Sequence, residues 1–88
     1  MITWNDSKRA SNLNKHGLDF AEVVGFDFDT ALHDVDDRED YGELREIAIG
    51  WCGLRLCFLV FVRRGKDELH VISFRKATKQ EMRRYAES

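Results

Sequence analysis

The segment LREIAIGWCGLRLCFLVFVRRGKDELHVISFR, residues 44–75, decides the fold. Its first part, Leu44 to Cys52, alternates Ile47, Ile49 and Trp51 with smaller or polar residues, the period of a half-buried strand. Its middle, Arg55 to Val62, is almost entirely apolar. Such a run fits a central strand covered on both faces. Its last part, Leu69 to Arg75, is a third strand. Gly53-Leu54 and Arg64-Gly65-Lys66-Asp67 are the intervening turns, so the three strands run up and down beside one another.

Working outward, Thr30 to Val35 reads as a further strand, joined to the first by an acid-rich loop from Asp36 to Gly42. Ile2 to Trp4 reads as a short opening strand. Asn5 or Asp6 then caps a helix over Ser7 to Lys15, and His16-Gly17 closes it. The apolar face of that helix is thin: Ala10, Leu13 and the alkyl stem of a lysine. Asp19 with Glu22 forms a capping box for a second, short helix whose buried stripe is Phe20, Val23 and Val24. Thr78 with Glu81 forms another, and Met82 and Tyr85 share one face of the final helix. The order is β-α-α-β-β-β-β-α: an α+β architecture with helices packed on a mainly antiparallel sheet.

The chain has 88 residues, of which 43% are hydrophobic and 34% charged, which points to one globular domain over 1–88. The longest strongly apolar run, Leu56 to Val62, is too short to span a bilayer, and the N-terminus carries no secretory signal. A cytoplasmic location with no membrane association is expected. Cys52 and Cys57 read as reduced thiols in or near the core.

The net charge of −2 conceals a block structure. Residues 1–18 carry three bases and one acid, residues 19–46 carry two bases and eleven acids, and residues 54–88 carry nine bases and four acids. If the fold brings the two ends together, one face is positive and can hold phosphates.

No nucleophile elbow, phosphate-binding glycine loop or dinucleotide fingerprint is present, and no cofactor is expected. The acidic stretch from Asp34 resembles a calcium loop only superficially. Arg38, Glu39 and Arg45 occupy the fifth, sixth and twelfth positions, so no metal site is expected. The remaining chemistry lies in Lys15-His16, Arg63-Arg64, Arg75-Lys76, His70 and Tyr85. These types can cleave RNA without a metal: a base takes the 2′-hydroxyl proton, arginines stabilise the charged phosphorane, and an acid protonates the leaving 5′-oxygen. Each also has a structural role open to it: His16 as a helix C-cap, the arginines as solvated turn residues, Tyr85 as core.

Trp4-Asn5-Asp6-Ser7-Lys8, then Asn12, then Lys15-His16-Gly17-Leu18-Asp19-Phe20 resembles the opening signature of the BrnT family of type II toxin–antitoxin toxins. Val71-Ile72-Ser73-Phe74-Arg75-Lys76-Ala77-Thr78, then Glu81 and Tyr85, resembles its close, and Arg45 through Gly50 also fits. The resemblance implies a RelE-like ribonuclease fold and RNA as substrate. It also implies neutralisation by a ribbon-helix-helix (BrnA-like) antitoxin, with operator DNA bound only through the complex. The matching site residues are His16, Arg64 and Arg75 as catalytic groups, with Lys15, Lys76 and Tyr85 binding RNA. Glu81 is read as a helix cap. The chain departs from the family pattern at Asn5, His70 and Met82. His70 stands where arginine is common, which either removes a phosphate contact or adds a second proton-transfer group. Two competing readings are a catalytically weak module that acts mainly in antitoxin binding and operon autoregulation, and a stand-alone RNA-binding domain.

Overall fold

A computed structural model describes all 88 residues. Strand β1 is Ile2–Thr3, helix α1 is Asp6–His16, and a 3₁₀ helix covers Phe20–Gly25. Strands β2 (Leu32–Asp36), β3 (Arg45–Cys52), β4 (Arg55–Arg64) and β5 (Glu68–Lys76) follow, and α2 is Lys79–Glu87. The five strands form one sheet in the order β1-β5-β4-β3-β2. Only the β1–β5 pair is parallel. The α+β arrangement expected from the sequence is therefore present, with strand limits shifted by one or two residues. No helix is long and apolar enough to cross a membrane.

The central strand β4 is apolar throughout because both of its faces are covered. Cys57, Leu59 and Phe61 join Ala48, Val71 and Phe74 on one face, packed under Leu18, Phe20, Val23 and Phe26. Leu56, Phe58 and Val60 join Ile49 and Ala77 on the other, against Met82 and Tyr85 of α2. The second helix is tighter than an α-helix, and this corrects its expected stripe. At three residues per turn, Phe20, Val23 and Phe26 align and are buried, while Val24 turns outward at 82% exposure.

Helix α1 docks differently from the expected apolar contact. Ala10 is exposed and Leu13 is 43% exposed. The only buried residue of the helix is Asn12. Its side-chain amide donates to the Phe74 carbonyl at 2.7 Å and to the Leu18 carbonyl at 3.1 Å, and its oxygen accepts from the Phe74 amide at 3.2 Å. The two-residue β1 pairs only with Leu69 and His70. Beyond it, the outer edge of β5 would lack partners, and the Asn12 amide acts there in place of a strand.

One irregularity shapes β5. Val60 pairs with Ser73 but Phe61 pairs with Val71, so the ladder shifts by one residue at Ile72. This bulge lets Val71 and Phe74, three apart, enter the same core. It also turns Ile72 towards the other apolar cluster.

The charge blocks interlock, with five ion pairs joining the acidic middle to the basic ends. The basic ends meet at β5, which lies between β1 and β4 with α1 against it. The acidic middle contains β2, the strand at the opposite edge. Asp36, expected to open the solvated acid-rich loop, is instead the last residue of β2. Its side chain is fully buried and takes two hydrogen bonds from the Arg38 guanidinium, at 2.7 and 2.9 Å.

Two substitutions test this packing by urea denaturation. Asn12→Ala strands three buried backbone groups and is expected to cost about 2–4 kcal/mol. A Cβ on Gly50 would stand 2.8 Å from the Ala31 Cβ and 2.9 Å from the Phe26 ring. Gly50→Ala should therefore cost about 1–3 kcal/mol. Acid provides a third test. Asp19 accepts from Arg9 and from the Ala21 amide, which hold its carboxyl down at about 2, from an ordinary 3.8. A depressed carboxyl stabilises the fold above its unfolded value, so this contribution is lost as pH falls from about 4 towards 2. Arg9→Ala should flatten the dependence of Tm on pH across that window.

Candidate active site

The Asn12 contact fixes the position of a functional residue one turn later. His16 is the last residue of α1, followed by Gly17 in the left-handed conformation, φ 74°, whose amide donates to the Leu13 carbonyl. Residues four apart share a helix face, so seating Asn12 on β5 brings His16 onto the same strand. An open cleft of about 240 Å³ results, lined by Lys8, Ser11, Asn12, Lys15 and His16 of α1 and by Ile72 and Ser73 of the bulge. The imidazole is half-buried. Burial, then the charges of Lys15 and Arg75, hold its pKa below the ordinary value. At neutral pH it is a neutral base in a cationic cleft.

Arg75 is rigidly held. Its guanidinium donates to both carboxylate oxygens of Glu81, at 2.8 and 2.9 Å, and to the Lys76 carbonyl at 3.2 Å. It lies 4.3 Å from the centre of the Phe58 ring. Glu81 also accepts from the Thr78 amide at 2.8 Å, so the helix-capping residue is at once the arginine's anchor. Burial would raise the Glu81 pKa, but the bonds from Arg75 and Thr78 outweigh it and the net shift is downward.

The other sequence-derived site residues fall in two further places. Lys76 and Tyr85 line an apolar recess of about 540 Å³ with Trp51, Leu54, Leu56 and Met82. The Tyr85 and Trp51 rings meet edge to face at 6.4 Å. Arg64 lies at the far end of β4, across from Glu68 of β5, with its guanidinium 3.6 Å from Glu43. The fold thus joins Lys15 with His16, places Arg75 within their electrostatic reach, groups Lys76 with Tyr85, and leaves Arg64 apart from both.

Lys8, Ser11 and Ser73 were given no site role in the sequence, although Lys8 and Ser73 lie within the two end motifs. Lys8, Ser11 and Lys15 follow helical spacing on a helix with little apolar surface, and that polar stripe was the available signal. The position of Ser73 at the cleft could not be read, because the bulge that presents it depends on strand register. The thiols of Cys52 and Cys57 are free, and no group of three or more His, Cys, Asp or Glu side chains is placed to hold a metal ion.

Known proteins share this fold. A search of curated proteins finds no match. The family model described as "Ribonuclease toxin, BrnT, of type II toxin-antitoxin system" matches residues 4–81. That span runs from the first turn into the helix carrying Glu81. The crystal structure of the Brucella abortus ribonuclease toxin BrnT superposes with a TM-score of 0.68 at 36% sequence identity, covering 89% of this chain and 96% of that one. Since the match takes in strands β2 to β5, α1 with its terminal histidine and the start of α2, the chain belongs to the BrnT family, the ribonuclease toxins of type II toxin–antitoxin systems.

Proposed function

We propose that this chain is a metal-independent endoribonuclease of the cytoplasm, acting as one toxin domain and held inactive by a ribbon-helix-helix antitoxin. The observation that carries the catalytic reading is His16: a neutral imidazole at an open cleft, surrounded by cations and no carboxylate. Such a group accepts a proton at neutral pH, and the same cations attract a phosphodiester.

In this reading His16 takes the proton from the RNA 2′-hydroxyl. Arg75 supplies positive charge to the phosphorane, and its fork on Glu81 means that little reorganisation accompanies the reaction. Lys15 contacts phosphate beside His16. Lys76 and Tyr85 hold a neighbouring nucleotide, with the Trp51–Tyr85 recess offering apolar surface for a base. Arg64, at the far end of β4, contacts the phosphate backbone away from the cleft. The antitoxin reading rests on family membership, and its type on the resemblance at the two ends of the chain. The bound antitoxin supplies the DNA-binding part of an autorepressing complex.

The test is RNA cleavage by the purified, antitoxin-free chain in EDTA. The parent should cut. His16→Ala should lose on the order of 10²–10⁴-fold, and Arg75→Ala on the order of 10²–10³-fold. The acidic limb of the parent's pH–rate profile should have its midpoint below the ordinary imidazole value, because protonation removes the base, and it should be absent from His16→Ala. Cleavage that survives both substitutions would move the site elsewhere. A folded parent that leaves RNA intact but binds its antitoxin would favour the catalytically weak binding module.

A further inference from the structure

The ion pairs of this chain leave every lysine free. All eight take an arginine or a histidine as the cation. Two of these free lysines, Lys8 and Lys15, stand seven residues apart on α1, nearly two full turns, so they share one face. Both line the His16 cleft, and neither ammonium has a hydrogen-bond partner within the chain. Ser11 lies between them on the same face, with its hydroxyl equally unengaged. Asn12 does not add to this set, because both of its amide protons go to the Phe74 and Leu18 carbonyls.

The cleft therefore presents polar donors and little else. Its lining contains no acid, and Ile72 is its one apolar residue. A docked peptide would need apolar surface to bury, whereas ammonium and hydroxyl groups suit the oxygens of a phosphate. The spacing along the helix adds a second constraint. At the rise of an α-helix, Lys8 and Lys15 stand roughly 10 Å apart along the axis. Lys15 adjoins His16, so Lys8 marks the opposite end of the cleft. One phosphodiester held at His16 accounts for Lys15 but not for Lys8. Two free cations spaced along one groove match the repeated charge of a single strand.

Resting on the ribonuclease reading above, we propose that Lys8 and Ser11 form a second phosphate subsite, which holds a neighbouring phosphate of the same RNA strand, one or two nucleotides from the cut. Lys8 supplies the charge and Ser11 a neutral hydroxyl donor. Three residues apart on a helix, the two side chains are neighbours. The subsite touches none of the reacting atoms. It aligns the strand along α1 so that the bond to be cut lies at His16, and it favours a strand whose charged backbone continues past the cut over a bare dinucleotide.

The experiment measures binding of an RNA oligonucleotide that the parent cuts, made uncleavable by one 2′-deoxy substitution at the cut. Its phosphates are replaced one at a time, on both sides of the cut, by uncharged methylphosphonate. In the parent, one replacement within two nucleotides of the cut should weaken binding roughly two- to fivefold. In Lys8→Met the same replacement should have no further effect, while the others cost what they cost the parent. The slope of log Kd against log salt should fall by about 0.7 in Lys8→Met and be kept in Lys8→Arg. Ser11→Ala should weaken the same phosphate without changing the slope. Lys8 is exposed and bonded to nothing through its side chain, so these variants should keep the parent's Tm. A parent indifferent to every replacement near the cut would overturn the proposal, and so would equal losses in the parent and Lys8→Met. Loss of antitoxin binding by Lys8→Met with RNA binding intact would make Lys8 a protein contact and overturn it too. A parent that cuts no RNA would sink the ribonuclease reading itself, and the proposal with it.

Discussion

A single primary amide holds the arrangement together. The opening strand pairs with only two residues of β5, so the rest of that edge presents backbone groups with no strand beside them. Asn12 meets the Phe74 amide and carbonyl with its own carbonyl and amide, as a neighbouring strand would. A third bond to Leu18 ties down the turn that follows the helix. A longer opening strand would satisfy the same backbone but would exclude α1 from the edge. An apolar residue in place of Asn12 would leave the strand unsatisfied. The cleft containing His16 exists because a helix, and not a strand, occupies this position.

The same economy governs the other end of the site. Glu81 satisfies the Thr78 amide at the start of α2 and clamps the Arg75 guanidinium at the end of β5. Helix α2 has no fully buried residue. It is held by the edges of Met82 and Tyr85 on the apolar cluster, by this ion pair, and by Arg84 on Asp34 at 2.9 Å. Its seating and the orientation of Arg75 are therefore one event. A partner that displaced α2 would also release the arginine.

Much of this was legible in the sequence, for identifiable reasons. The alternation of Ile47, Ile49 and Trp51 marked a strand, and the unbroken apolar run after it marked a central one; β4 is the middle strand of the five. Both capping boxes were visible as Asp19/Glu22 and Thr78/Glu81, and both are closed in the structure. The charge blocks left open whether the two ends meet, and the fold brings them together at β5. What stayed hidden was non-local. Asn12 looks like one more polar residue on a solvated helix until Phe74, 62 positions away, is placed beside it. The bulge at Ile72 cannot be read from β5 alone, because only pairing with β4 reveals the extra residue. Val24 looked apolar and helical, but the tighter 3₁₀ winding turned it outward. Of the site residues, Lys15 and His16 were contiguous and could only fall together. The separation of Arg64 from them depended on which end of β4 faces α1.

Five ion pairs tie the acidic middle of the chain to its basic ends: Arg9–Asp19, Arg55–Glu22, Arg63–Glu46, Arg64–Glu43 and Arg84–Asp34. Each joins residues distant in charge block, so the blocks cancel one another on the surface they share. Lys8 and Lys15, which line the His16 cleft, belong to none of these pairs. Within a screening length of about 8 Å at physiological ionic strength, a polyanion meets compensated charge at the paired positions and uncompensated charge at the cleft. A weakly anionic protein can thereby keep a local attraction for phosphate without a basic surface overall.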